Sequence, residues 1–181
     1  MKFSYLCEQS CDISQFVEFW SACYTSENED QYSQNISREL TSETIYQLFE
    51  WKNGGRRLTE KKKKSVVDKI NLLNSLQNNI SLNDFFEKLG KGGTIWNIFF
   101  LHILLPTQYP IFDQHVYRAM VFIKTRKIEE IPNNDKAKQQ KYITEYIPFY
   151  RDLGAFPDRK LDKALWAFGK FLKSPFGKMI G

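Results

Sequence analysis

Apolar residues recur along this chain at three- and four-residue spacing, and almost nowhere do they alternate singly with polar ones. A strand that buries one face of a sheet needs that alternation, whereas a helix burying one stripe needs the longer period. The pattern therefore restricts the chain to an all-α fold before any motif is considered. Ile13, Phe16, Val17, Trp20 and Cys23 or Tyr24 line one helical face. Ile45, Leu48 and Phe49 mark a second helix that stops at Asn53-Gly54-Gly55. A third is expected from Thr59, a natural N-cap, through Val66, Val67, Ile70, Leu73 and Leu76, broken by Asn78-Asn79. Ser81 then opens a short helix carrying Phe85, Phe86 and Leu89, with Asp84 in the reciprocal position of a capping box.

That helix stops at Leu89-Gly90-Lys91-Gly92-Gly93, where glycines permit a turn through positive φ. A strongly apolar helix follows from Thr94 to about Leu105, closed by Pro106. Asp113 opens the next, and Pro132-Asn133-Asn134-Asp135 separates it from a long helix with Tyr142, Ile143, Tyr146 and Phe149 on one side. The last is expected to begin near Pro157 and to carry Leu161, Leu165, Trp166, Phe168 and Leu172. About eight helices of irregular length make a globular array with a helix-hairpin-helix-like element, not a simple bundle.

A chain of 181 residues folds as one domain or as two packed helical lobes sharing a core, without needing a staple. The longest apolar run, from Ile95 to Pro106, is too short to cross a bilayer and is interrupted by Asn97 and His102. The first residues lack a signal-peptide apolar region, so a cytoplasmic protein without a membrane partner is expected. Cys7, Cys11 and Cys23 are an odd set with no paired CxxC spacing and are read as reduced thiols. The two histidines, His102 and His115, lie far from them in sequence, which argues against zinc, and no close-spaced C-terminal cysteines are present for an iron–sulfur cluster. No metal or organic cofactor is expected.

Charge is unevenly distributed. Residues 1–50 carry two basic and nine acidic side chains, although the chain as a whole is +5, so residues 51–181 are strongly basic. A divergent acidic part followed by a basic part suggests a polyanionic partner for the latter. The run Lys61-Lys62-Lys63-Lys64 has a plainer reading as the solvated face of a helix. Trp51-Lys52-Asn53-Gly54-Gly55-Arg56-Arg57 joins an aromatic to three cations, so Arg56 and Arg57 are candidates to reach phosphates, or decorate an exposed helix end.

The chemistry concentrates in Tyr109 to Met120, YPIFDQHVYRAM. Two helices joined by a glycine-rich turn leave backbone N–H groups at the start of the second, able to hold a phosphate oxygen with the helix dipole behind them. Gly90, Lys91, Gly92 and Gly93 are thus candidates for nucleic-acid backbone contact. Asp113 reads in two compatible ways. It is a good N-cap residue, and it is a carboxylate able to stabilise positive charge on a sugar and orient a water in a cleft beside an anchored strand. His115 and Arg118 follow it, and each reads either as a substrate-side residue, His115 in a base pocket and Arg118 on DNA, or as part of the interior. Tyr109 and Phe112 either wall a pocket for an extruded base or pack in the core. His102 and Trp166 are read as core.

At these residues the sequence resembles the helix-hairpin-helix DNA glycosylase superfamily, the group of endonuclease III-like, adenine-mismatch and alkylbase glycosylases. Its signature is a Leu-Pro-Gly-Val-Gly-type hairpin followed by Val-Asp-x-His-Val-x-Arg. Here stand Leu89-Gly90-Lys91-Gly92-Gly93 and, with Gly93 twenty positions before Asp113, Phe112-Asp113-Gln114-His115-Val116-Tyr117-Arg118. Leu161-Asp162-Lys163-Ala164-Leu165-Trp166-Ala167-Phe168-Gly169 looks like a late helix of that family. The resemblance covers about half the chain and fits the first eighty residues poorly. It implies a DNA-binding hydrolase of base excision repair that cleaves an N-glycosidic bond with Asp113 and water. The lyase lysine of the family would fall at Thr94 or Ile95, neither of which forms a Schiff base, so the implied enzyme is monofunctional and leaves an abasic site. The alternative is an inactive DNA-binding or protein-interaction module on the same fold.

Overall fold

The computed structural model of the protein describes residues 12–25, 28–76, 80–90, 93–154 and 158–179. It is all-α, with no strand among the described residues. In chain order the helices are α1 (Ile13–Ala22), α2 (Glu29–Ser33), α3 (Ser42–Lys52), α4 (Glu60–Val67), α5 (Ile70–Ser75), α6 (Leu82–Leu89), α7 (Thr94–Leu104), α8 (Gln114–Thr125), α9 (Asp135–Lys141), a π-helical turn (Tyr142–Tyr146), α10 (Ile147–Asp152) and α11 (Arg159–Leu172). No described helix is long and apolar enough to cross a membrane.

The chain divides into two compact units. One is residues 25–106; the other joins residues 1–24 to residues 107–181. In the first, α7 is the buried element: Thr94, Asn97 and every residue from Ile98 to Ile103 lie inside. A helix apolar on all sides needs cover on all sides, and Phe49 of α3 supplies part of it with Trp96, Phe99 and Phe100 at centroid distances of 4.8, 5.1 and 4.5 Å. His102 is in this core, its Nε2 2.7 Å from the Tyr32 hydroxyl of α2.

Two expected long helices are interrupted. The helix begun at Thr59 breaks at Asp68-Lys69 into α4 and α5, and Lys69 turns its ammonium onto Asn97 Oδ1 at 3.1 Å. The helix begun at Asp135 passes through the π-turn Tyr142–Tyr146 directly before Pro148, in the first turn of α10. Proline lacks the N–H that would bond the carbonyl four residues earlier and its ring would collide there, a conflict that a widened turn relieves.

In the second unit α11 is covered on two sides, by α1 and by α8. Phe168 meets Phe16 and Trp20 of α1 at 5.4 and 4.9 Å and Phe122 of α8 at 5.7 Å. Asp158 caps α11 by accepting the Lys160 amide at 2.9 Å. Where α11 crosses α8, Gly169 lies directly on the backbone of His115. A Cβ at 169 would overlap the His115 carbonyl oxygen and stand 2.6 Å from its carbon. Two helices this close leave no room for a methyl group, and backbone cannot swing aside as a side chain can. Gly169→Ala is expected to destabilise the protein by about 3 kcal/mol, measured as a lowered urea midpoint, while Ala167→Gly in the same helix costs about 1 kcal/mol through helix propensity.

Candidate functional site

Asp113 is the N-cap of α8. Its backbone is extended, and its Oδ1 accepts the amide N–H groups of His115 at 2.8 Å and Val116 at 3.2 Å. The carboxylate is half-buried and faces the positive end of the helix dipole. The local sequence explains this: Pro110, Ile111 and Phe112 are buried in an extended approach, and Asp113 is the first residue whose side chain can satisfy the open amides of the helix that follows.

The approach segment is held from behind. Phe112, 1 % exposed, packs against Tyr142 and Tyr146 of the π-turn at 5.2 and 5.0 Å, and the Tyr142 hydroxyl donates to the Pro110 carbonyl at 3.1 Å. Burial pushes the Tyr142 and Tyr146 phenols well above their ordinary range, with further help from the nearby Asp162 carboxylate. Both rings pack against Phe112, and only the Tyr142 hydroxyl adds a hydrogen bond. Of its two readings, pocket wall or core, Phe112 takes the second. Tyr109 is half-buried.

His115 and Arg118 face the opposite way, onto α11. Arg118 is fully buried: Nη1 donates to the Gly169 carbonyl at 2.8 Å and Nη2 to Glu130 Oε2 at 2.7 Å. The expected Arg118 contact with DNA is thus corrected, since this guanidinium presents no surface to a phosphate and instead ties α8 to α11. His115 is half-buried with its ring edge-on to Trp166 at 5.0 Å, and its Nδ1 stands 3.4 Å from Arg118 Nη1. Of its two readings, a base-pocket residue or part of the interior, the packing on α11 matches the second. Burial holds the His115 imidazole below its ordinary value of 6.5; Asp113 opposes this, Arg118 and Lys170 reinforce it, and the Gly169 carbonyl counteracts it.

The hairpin lies in the other unit. Gly90 ends α6 with φ +63° and ψ −151°, a backbone conformation that side chains disfavour. Gly93 is exposed and is the N-cap of α7, with no side chain capping it. Lys91 and Gly92 lie outside the described residues. Thr94 is buried in the first turn of α7 and Ile95 half-buried beside it. Asn97, buried, donates from Nδ2 to the Gly90 carbonyl at 3.3 Å while its Oδ1 accepts from Lys69. This link was not legible in sequence, because α5 and α6 both lie between Lys69 and Asn97. Arg56 and Arg57 are exposed in the loop between α3 and α4.

Cys7 and Cys11 lie outside the described residues; Cys23 is exposed and carries a free thiol. Among the described residues no three histidine, cysteine or carboxylate side chains gather as a metal site would require. Compared with known proteins, the chain matches no family model, no curated protein and no solved structure.

The His115 environment makes a pH prediction. A lowered folded-state value means that the unfolded chain binds the proton more readily, so this contribution to stability is complete above about pH 6.5 and is lost as the pH falls below it. The urea midpoint of the wild type is expected to drop from pH 7.5 to pH 5.5 by more than that of His115→Gln. Arg118→Met, which keeps the bulk but leaves the Gly169 carbonyl without its donor, is expected to lower stability by about 2 kcal/mol at pH 7.5.

Proposed function

We propose that the protein is a DNA-binding, monofunctional glycosylase of the helix-hairpin-helix type, with Asp113 as its catalytic carboxylate. The observation that carries this reading is how the Asp-x-His-x-x-Arg pattern is divided in space. Its histidine and arginine turn inward and hold α8 against α11 through Trp166 and Gly169, while its aspartate stays half-exposed at the helix start. A carboxylate whose Oδ1 is oriented by two amides, on a helix clamped by an interior arginine, has the fixed position that electrostatic catalysis needs.

In the proposed reaction the bond between the sugar C1′ and the base breaks with both electrons leaving on the base. The Asp113 carboxylate stabilises the positive charge that develops on the sugar and accepts a proton from the attacking water as its oxygen bonds to C1′. An abasic site remains. Thr94 and Ile95 at the lysine position of the family support hydrolysis without a Schiff base.

A second reading, a binding module without catalysis, is favoured by Phe112. Its burial between the π-turn tyrosines closes the wall expected for an extruded base.

The deciding experiment incubates wild type and Asp113→Asn with duplex and single-stranded oligonucleotides bearing damaged, mismatched and naturally modified bases, scoring abasic sites by alkali cleavage. Alkali-dependent cleavage by the wild type, reduced about a hundredfold or more in Asp113→Asn, is expected. Asparagine retains the cap, so loss of activity with an unchanged urea midpoint separates chemistry from folding. Binding without cleavage on every substrate would leave the module.

A further inference from the structure

Between residues 56 and 64 the side chains of Arg56, Arg57, Lys61, Lys62 and Lys64 are all exposed. The segment's one acid, Glu60, is bonded to Lys63 Nζ at 2.9 Å, and Lys63 also lies over the Tyr46 ring. Lys63 is therefore committed within the fold, whereas none of the five exposed cations forms an ion pair with a described residue.

Local stability does not account for this arrangement. Lys61 and Lys62 occupy the first turn of α4, the positive end of the helix dipole, where a cation is unfavourable, and only Lys64 falls in its last turn. Thr59 already caps the helix and Glu60 supplies the acid its first turn prefers. What the fold does supply is rigidity. Leu58 and Val66 are buried at either end of the segment and fix the face that the lysines present.

The strip is joined to the hairpin. Lys62 Nζ lies 5.1 Å from the Trp96 ring, in the first turn of α7, and Lys69 behind it reaches Asn97, which in turn holds the Gly90 carbonyl. Among the described residues the large exposed apolar side chains, Ile13, Phe19, Phe176 and Met179, all belong to the other unit, so no described apolar wedge accompanies the cations as an interfacial membrane helix would require. Several fixed cations along a loop and a helix suit an extended polyanion more than a single phosphate.

We infer that Arg56, Arg57, Lys61, Lys62 and Lys64 form a docking strip for the phosphate backbone of duplex nucleic acid, read without regard to sequence. The strip rests on the DNA-binding half of the proposed function and not on catalysis by Asp113.

The test measures fluorescence anisotropy of a labelled, undamaged DNA duplex against salt concentration. Three proteins are compared: wild type, the triple variant Lys61→Ala/Lys62→Ala/Lys64→Ala, and a charge-matched control, Lys124→Ala/Lys127→Ala/Lys136→Ala, whose lysines are exposed in the other unit. Each lost phosphate contact flattens the plot of log affinity against log salt by about 0.9. The strip variant is expected to bind at least tenfold more weakly at about 0.1 M salt with a slope shallower by about 2 to 3, and the control to keep the wild-type slope. Equal weakening of both variants would reduce the strip to net charge and overturn it. So would an unchanged slope in the strip variant, or wild-type protein that ignores duplex DNA but binds anionic vesicles or an acidic peptide. Wild-type protein that binds DNA yet forms no abasic site would sink the catalytic reading and leave the strip standing.

Discussion

The contact on which the unit of residues 1–24 and 107–181 depends is the crossing of α8 and α11 at Gly169. With no Cβ between them, the two backbones approach until the Gly169 carbonyl comes within reach of Arg118, and that carbonyl and Glu130 accept hydrogen bonds from Nη1 and Nη2 of the buried guanidinium, while its Nε is buried without a partner. Glu130 is itself 63 % exposed, so the pair joins an interior cation to the solvent boundary rather than enclosing two charges. The position of α8, and with it the orientation of Asp113 at its start, follows from this arrangement.

The same principle operates differently in the unit of residues 25–106. There the turn between α6 and α7 is held by a buried amide: Asn97 binds the Gly90 carbonyl on one side and Lys69 on the other. Burial lowers the Lys69 value from the ordinary lysine range, yet its ammonium keeps an oxygen partner and the face of Phe100 at 5.1 Å. A cation with fixed oxygen partners thus ties helices together in each unit, fully buried in the case of Arg118 and half-buried in that of Lys69.

These ties bear on function. The catalysis proposed for Asp113 would need a carboxylate that does not move as charge develops near it, and a clamp that reaches its helix through a neighbouring helix provides such rigidity. Phe112 and the π-turn tyrosines stiffen the same point from the other direction, through the chain that leads into Asp113. The backbone contacts proposed for the strip on α4 need no such pre-organisation of a reacting atom. They need only fixed positive charge.

Much of this protein was legible in its residues. Helix content followed from apolar spacing, and Thr59, Ser81 and Asp113 announced helix starts because capping depends on neighbours within a few positions. The turn at Gly90 was marked by the one residue type that accepts its backbone angles. Other features depended on partners distant in the chain: Arg118 on a carbonyl 51 residues away, Lys69 on an amide 28 residues away, and Phe112 on tyrosines brought round by a π-turn. Whether an arginine or a phenylalanine faces solvent or core is decided by which helix lies against it, and one-dimensional periodicity carries no record of that neighbour. The sequence by itself therefore determined the helices, their caps and the candidate carboxylate. Only the tertiary structure decided that Arg118, His115 and Phe112 turn inward to position Asp113, because burial is a property of packed surfaces and not of residue order.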